Sequence, residues 1–430
     1  MIKLKIYLIA VLMVLLSSFA KAQKSLSLEQ AIVNTLEQNY SILLKRKEVD
    51  ITTTNNSWGA AGRYPSVDFS SSFNLEKNNN SNDDWDQNNL NVGVELDWVL
   101  FDGFRVNITK TQLNELQELS EGRLQVLVES TVKDIMLSYY FAQLQAQKLQ
   151  VADFILKQSK ERLVLEEGKN KIGLEGTYAL LQAKNAFLED LRYYKLQELN
   201  YNNAIRQLNL IMAERIDSKY VLSDSIPADL GSYAFDDLKH KTLSSNSSLQ
   251  NQYINIKLAQ QQVELTKSNY YPTLSLNTGI SVTNRNTDYS QKSTSHYNSE
   301  AAFVGVSLKY RLFSGGKKAR ARQIAGINKE IAVLEKDDME SVLLAELHSD
   351  FERFNVMQDL FEYAEENLKA AELNLKMSTD KYEAGVINSF NYRDVQILYR
   401  NSALDKLQAT YDLAASKVDL LLTSGGILKK

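Results

Sequence analysis

The chain has 430 residues, a formal net charge of −4, three prolines, 17 glycines and no cysteine. Its basic residues are spread along the chain rather than bunched, which excludes a nucleic-acid footprint and a polyanion partner. Sparse proline and glycine argue for long uninterrupted elements, and the lack of cysteine excludes disulfide stapling and acylation at a cysteine.

Lys3 and Lys5 precede an apolar run from Ile6 to Phe19, and Ala20-Lys21-Ala22 supplies a small-x-small site, so residues 1–22 read as a signal peptide cleaved before Gln23. An uncleaved anchor is the alternative, against which the short apolar run counts. No other apolar run reaches the roughly 18 residues of a spanning helix.

The chain repeats itself. The stretch opening at Asn39-Tyr40-Ser41-Ile42 and ending at Arg63-Tyr64-Pro65-Ser66-Val67 matches one opening at Asn246-Ser247-Ser248-Leu249 and ending at Tyr270-Tyr271-Pro272-Thr273-Leu274. Leu100-Phe101-Asp102-Gly103 then recurs as Leu312-Phe313-Ser314-Gly315. A tandem duplication over 23–212 and 234–424 follows, with a linker 213–233 holding Pro227 and a tail 425–430.

Each copy opens with a helical pattern, Ser27 to about Trp58 and Asp236 to about Asn269. Ser27 followed by Gln30 fits a capping box, which satisfies free amides at a helix start. Pro65 and Pro272 stop these helices, because proline lacks an amide hydrogen and pushes its predecessor out of helical geometry.

Apolar residues then fall on alternate positions. In the first copy this predicts strands at about 66–76 and 89–100 around a polar loop from Asn78 to Asn89. In the second it predicts strands at about 273–283 and 302–312 around a polar loop from Thr283 to Ser299. A half-buried hairpin on a globular core would show the same alternation. Membrane strands are favoured by their length of roughly nine to eleven residues, by the long polar tips, and by aromatics at the helix-side end. These aromatics are Tyr64, Trp98 and Phe101 in one copy and Tyr270, Tyr271, Tyr310 and Phe313 in the other, where an interfacial belt would lie. Four strands cannot close a barrel, so subunits must assemble with outer-membrane lipid around them.

Long helical stretches follow, about 105–165 and 177–212 in the first copy and about 317–382 and 389–423 in the second. Leu347, Phe354, Met357, Phe361, Ala364, Leu368, Ala371, Leu375 and Tyr382 keep one 3,4 register, as do Leu404, Leu407, Tyr411, Ala414, Val418 and Leu421. Sustained heptads mean coiled-coil packing. A fibrous coiled coil would share them but not the inserted strand pairs. The helix pairs turn around Gly168 to Gly176 and around Gly385 to Ser389, with Gly168, Gly173, Gly385 and Val386 at what would be the tips farthest from the membrane.

The remaining chemistry is thin. His240, His296 and His348 are widely separated, so no metal site and no cofactor are expected. Ser314-Gly315-Gly316-Lys317 lacks phosphate-loop spacing and reads as a strand-to-helix turn. No pair of carboxylates stands apart as acid and base, and an enzyme is not expected.

Taken in order, Leu26-Ser27-Leu28-Glu29-Gln30-Ala31-Ile32 with Asn39, the two proline switches, Leu-Phe-x-Gly at 100–103 and 312–315, and Lys381-Tyr382-Glu383-Ala384-Gly385 resemble the TolC-like outer-membrane efflux protein family over about 25–424. The resemblance implies a mainly α chain with membrane β: four barrel strands per chain continuing into a long coiled-coil α-helical barrel, as a homotrimer with a 12-stranded β-barrel. It implies the outer membrane of a Gram-negative bacterium with a large periplasmic part, a periplasmic membrane-fusion adaptor docking at the helix tips, and an inner-membrane pump of RND or ABC type. The chain would then be the passive exit duct of a tripartite efflux or type I secretion system. The alternative is an outer-membrane-anchored structural or adhesive coiled-coil trimer without transport. The family's periplasmic gate maps onto Tyr382, Asn391 and Asp394. Ile387 stands where an arginine is expected, and the first-copy acidic position falls closest to Tyr178.

Overall fold

The computed structural model describes residues 24–79, 84–173, 177–228, 231–289 and 293–428. The expected signal peptide, its cleavage site, the hairpin tips at 80–83 and 290–292, the turn at 174–176 and the last two residues of the tail lie outside the described residues.

The elements in order are β1 (Lys24–Leu26), α1 (Leu28–Gln38), α2 (Tyr40–Asn55), β2 (Ser66–Asn78), β3 (Trp85–Phe101), α3 (Arg105–Lys171), α4 (Thr177–Ile211), β4 (Tyr220–Leu222), α5 (Phe235–Ser245), α6 (Ser247–Ser268), β5 (Thr273–Tyr289), β6 (Ser295–Lys309), α7 (Lys317–Glu383) and α8 (Ser389–Thr423). Two helices, two strands and two long helices occur twice in the same order. The long pairs match in length, 67 residues for α3 and α7 and 35 for α4 and α8.

Three expectations need correction. The opening helix of each copy is split, at Asn39 and at Asn246, where the backbone turns extended. The Asn39 carboxamide caps α2 by accepting from the amides of Ser41 and Ile42, and its Nδ2 donates to the Ile211 carbonyl at 2.9 Å. Asn246 likewise donates from Nδ2 to the Thr423 carbonyl at 3.1 Å. A helical period runs through such a break unchanged, which is why the pattern hides it.

The strands are also longer than their apolar alternation, 13, 17, 17 and 15 residues, so most of the polar stretches assigned to loops belong to the ladder. Paired rows such as Asn88 with Asn286 satisfy their backbones through hydrogen bonds without needing an apolar face. Finally, β6 ends at Lys309, short of the expected 312, leaving Tyr310, Leu312 and Phe313 beyond it.

The described residues divide into two units. Over the described residues, the first takes in 24–45, 125–246 and 340–428, the second 46–124 and 247–339. The first unit is helical around a core that includes Leu26, Ile135, Tyr139, Leu144, Leu208, Ala414 and Val418. The expected capping box is present, with the Ser27 hydroxyl accepting from the Gln30 amide and the Gln30 side chain accepting from the Ser27 amide. A cap of this kind contributes about 1 kcal/mol to its helix. β1 pairs in parallel with β4, and the buried Tyr139 hydroxyl donates to the Leu26 carbonyl at 2.8 Å while accepting from the Asp224 amide.

The second unit holds a four-stranded antiparallel sheet in the order β2-β3-β5-β6. Its register sorts the side chains by face. Val67 pairs with Leu96, Phe69 with Val94, Val94 with Ile280, Val92 with Val282, Leu276 with Val306 and Leu274 with Leu308. Strand neighbours opposite one another point to the same side and alternate along each strand, so these residues form one continuous apolar face. The other face carries Asp68, Ser70, Ser72, Asn91, Glu95, Asp97, Asn277, Ser281 and Ser307. Phe303 is an exception there, lying over its cross-strand neighbour Gly279. The outer edges of β2 and β6 pair with no strand among the described residues.

Candidate functional site

Within the first unit, the ends of α3 and α7 and the beginnings of α4 and α8 meet in a buried polar cluster. The residues that build it continue the helices' packing stripes. Ala152, Ile155, Ser159, Arg162 and Glu166 follow 3,4 spacing along α3, all buried, with the chemistry changing from apolar to charged in the last two turns. On α7 the stripe runs Ala371, Leu375, Ser378, Tyr382, and on α8 it runs Ser389, Tyr392, Gln396, Tyr399. Heptad geometry thus delivers polar groups to positions where apolar ones normally sit.

At the centre the Tyr382 hydroxyl donates to Glu166 Oε1 at 2.6 Å, both side chains being buried. The Tyr382 and Tyr392 rings stack with centroids 4.5 Å apart and 10° between planes. The Tyr392 hydroxyl donates to Gln158 Oε1 at 2.7 Å and lies 3.2 Å from the Thr379 hydroxyl. Lys169 covers the outside, 3.4 Å from Glu166 and 5.1 Å from the Tyr382 ring centroid. Burial, then the hydrogen bond to Glu166 and its charge, raise the Tyr382 hydroxyl well above the usual phenol range.

Beside this pair, Arg393 of α8 makes two hydrogen bonds to Asp190 of α4, at 2.7 and 2.9 Å, with Arg400 3.7 Å from the same carboxylate. Asp190 is 1% exposed. Arg162 donates to the Ser389 carbonyl at 3.3 Å, while its Nε is buried without a hydrogen-bond partner. Burial, and next the like charge of Arg393, lower the Arg162 pKa.

Of the expected gate residues, Tyr382 lies in this cluster. Asn391 and Asp394 lie on the exposed side of α8, where Asn391 donates its amide to the Asn388 cap, and among the described residues neither side chain makes a hydrogen bond or ion pair to the cluster. The acid that accepts from Tyr382 is Glu166 on α3, and Tyr178 takes no part in this bond. That residue is exposed and stacks on Phe390. Ile387 packs as an apolar side chain against the group formed by Leu375, Tyr382 and Tyr392.

At the turns, Gly385 and Gly173 have φ of +71° and +74°, a region that suits glycine. The Val386 amide closes the α7 end by donating to the Lys381 carbonyl at 2.8 Å, the pattern of a glycine-terminated helix. Gly168 is still inside the last turn of α3 rather than in the turn itself, and Val386 is exposed.

In the second unit the register puts Tyr64, Trp98, Phe101, Tyr270, Tyr271, Tyr310 and Phe313 at one end of the sheet. Tyr271 makes edge contacts with Phe101 and Phe104 at 6.4 and 5.9 Å, and Trp98 Nε1 donates to the Arg63 carbonyl at 2.9 Å. Among the described residues no helix is long and apolar enough to cross a membrane, and no group of acidic and histidine residues could hold a metal ion.

Comparison with solved structures gives the same fold at low identity. CusC, in a crystal structure concerned with the conformational changes that accompany folding and transmembrane channel formation, superposes with a TM-score of 0.75 at 16% identity, covering 93% of this chain and 92% of that one. The Campylobacter jejuni CmeC outer membrane channel gives 0.74 at 16% identity over 93% and 85%. The open state of the Neisseria gonorrhoeae MtrE outer membrane channel gives 0.72 at 14% over 94% and 89%. A comparison with curated protein sequences gives no match. The profile of the outer membrane efflux protein family matches both halves, residues 31–214 and 238–426, and the chain belongs to that family.

Proposed function

We propose that three copies of this chain form the outer-membrane exit duct of a tripartite efflux or type I secretion system. The observation that carries the reading is the sheet. One face is continuously apolar, the other polar, and both outer edges are unpaired among the described residues. Exposed edges of 13 and 15 residues would leave backbone amides and carbonyls unsatisfied in lipid, at several kcal/mol per group. Pairing β6 of one copy with β2 of the next removes that cost, and three copies make a 12-stranded barrel with its apolar face toward lipid.

The paired long helices of the three copies then build the periplasmic helical barrel. Tyr64, Trp98, Phe101, Tyr270, Tyr271, Tyr310 and Phe313 form the membrane-interface belt. The turns at Gly173, Gly385 and Val386, with Gly168 just before, receive the periplasmic adaptor, which links the duct to an inner-membrane pump. Tyr382 with Glu166 holds the α7–α8 turn in a closed position, and exposed Asn391 and Asp394 line the constriction. A threefold ring of Asp394 carboxylates would favour cations there.

Purified full-length protein added to planar bilayers is the test. Trimers that conduct, with conductance rising on addition of a cognate adaptor or on loosening the tip, are expected. Stable trimers that give no conductance under either condition would support an anchored structural or adhesive coiled coil instead.

A further inference from the structure

The two copies differ at the helix-side rim of the sheet. Lys309, Arg311, Lys317 and Lys318 surround the second strand-to-helix turn, whereas the positions 212 residues earlier hold Asp97, Val99, Arg105 and Val106. Arg105 reaches the same place, so five cations line one cleft of 340 Å3 together with Tyr271. Asp102 is the one carboxylate in its wall, and its Oδ1 accepts from the Val106 amide. No ion pair to any of the five cations is found among the described residues.

Their surroundings fit a headgroup region. The Lys318 ammonium donates to the Arg311 carbonyl at 3.0 Å and lies 5.5 and 5.6 Å from the Tyr270 and Tyr310 ring centroids, which fixes one cation among aromatics. Arg105 is braced by Asn269 at 2.5 Å. The opposite rim has the reverse balance, with Asp84, Asp86 and Asp288 around Lys77, which is itself 3.5 Å from Asp86. Uncompensated cations at a membrane surface attract anionic lipid. The concentration of such cations on one rim, at one of two otherwise repeated turns, is what a fixed anionic ligand explains and general solubility does not.

We propose that this cleft binds the phosphate of an anionic glycerophospholipid in the periplasm-facing leaflet, one lipid per chain. The proposal rests on the reading that the sheet spans the outer membrane with its helices on the periplasmic side. Lysine and arginine hydrogen-bond the phosphate, and Tyr270, Tyr271 and Tyr310 pack along the glycerol and upper acyl chain. In a trimer, three lipids would be held below the second-copy turns and none below the first-copy turns.

The test is native mass spectrometry of the full-length protein in detergent, titrated with dioleoyl phosphatidylglycerol or dioleoyl phosphatidylcholine, with bilayer conductance recorded on the same preparations. Wild type should retain phosphatidylglycerol in preference to phosphatidylcholine. A Lys309→Gln/Arg311→Gln/Lys317→Gln variant should lose at least about tenfold in that affinity, while Lys77→Gln on the opposite rim should not. Equal retention by wild type and the triple variant, or no preference over phosphatidylcholine, overturns the site while a conducting protein leaves the channel reading standing. Displacement of the lipid by millimolar inorganic phosphate would show a free-phosphate site and also overturns it. A preparation that neither conducts nor inserts into bilayers overturns the channel reading and this site with it.

Discussion

Tyr382, at the end of α7, donates a 2.6 Å hydrogen bond to Glu166, 216 positions earlier at the end of α3, with both side chains buried. The bond ties the turn between α7 and α8 to the first copy. Tyr382→Phe keeps the stacked ring and removes only the hydroxyl, leaving Glu166 short of a donor. A hydrogen bond to a charged group contributes about 1.5–3 kcal/mol, so the tip arrangement proposed as the closed one should lose roughly 10- to 100-fold in population. The expected outcome is larger and more frequent opening in planar bilayers for the variant. Unchanged conductance would show that the bond does not hold the closed state.

The same tyrosine sets a pH dependence. Its raised pKa means that the folded tip binds the phenolic proton more tightly than the unfolded chain does. The stabilisation is therefore fully present below the ordinary tyrosine pKa near 10 and is lost as pH rises from there toward the raised value. Bilayer recordings should show a closed tip through neutral pH and opening only on the alkaline side. In Tyr382→Phe the part of that alkaline limb due to Tyr382 should vanish, while the part due to the other buried tyrosines with raised pKa values, such as Tyr193 and Tyr399, remains.

Much of this architecture is legible in residue order. Pro65 and Pro272 mark the starts of β2 and β5, although the helices before them already stop at Asn55 and Ser268, and alternation from Val67 to Leu75 defines a face without tertiary knowledge. The cluster at the tips is only half legible. Tyr382 stands out through its place before Gly385, whereas Glu166 looks like one more acid on a charged helix. Its signal lies in register, since Ile155, Ser159, Arg162 and Glu166 continue one 3,4 stripe and the last three break its apolar rule. The extra strand length is hidden for a different reason. Backbone pairing between Asn88 and Asn286 needs no hydrophobic pattern, so a period-two search stops where the apolar residues stop.

The Asp190–Arg393 pair should be the more costly contact to break. Asp190→Ala would leave the Arg393 and Arg400 guanidiniums close together without their shared carboxylate, and removing one partner of a buried pair costs about 3–5 kcal/mol. Replacing both, as Asp190→Leu/Arg393→Met, removes the more closely bound of the two stranded charges and should recover part of the loss, with Arg400 still lacking its carboxylate. Limited proteolysis at the α3–α4 and α7–α8 turns, followed over time, reads the local stability directly. Equal cleavage of wild type and Asp190→Ala would mean that the pair contributes nothing to holding α4 on α8.

Asn39 does two jobs with one carboxamide, and they can be separated. Its oxygen caps α2 by accepting from Ser41 and Ile42, and its nitrogen ties the break to the last carbonyl of α4 at Ile211. Asn39→Ser keeps a capping oxygen but cannot reach Ile211, whereas Asn39→Ala removes both. The cap contributes about 0.5–2 kcal/mol and the Ile211 bond about 1 kcal/mol. Hydrogen exchange of the amides of Ser41 and Ile42 should therefore speed up in Asn39→Ala but little in Asn39→Ser, while protection around Ile211 should fall in both. Because Asn246 makes the corresponding bond to Thr423, Asn246→Ala should loosen the end of α8 and leave Ile211 unaffected. Loss of protection at both helix ends from either single substitution would mean that the two breaks act as one cooperative unit rather than as two independent ties.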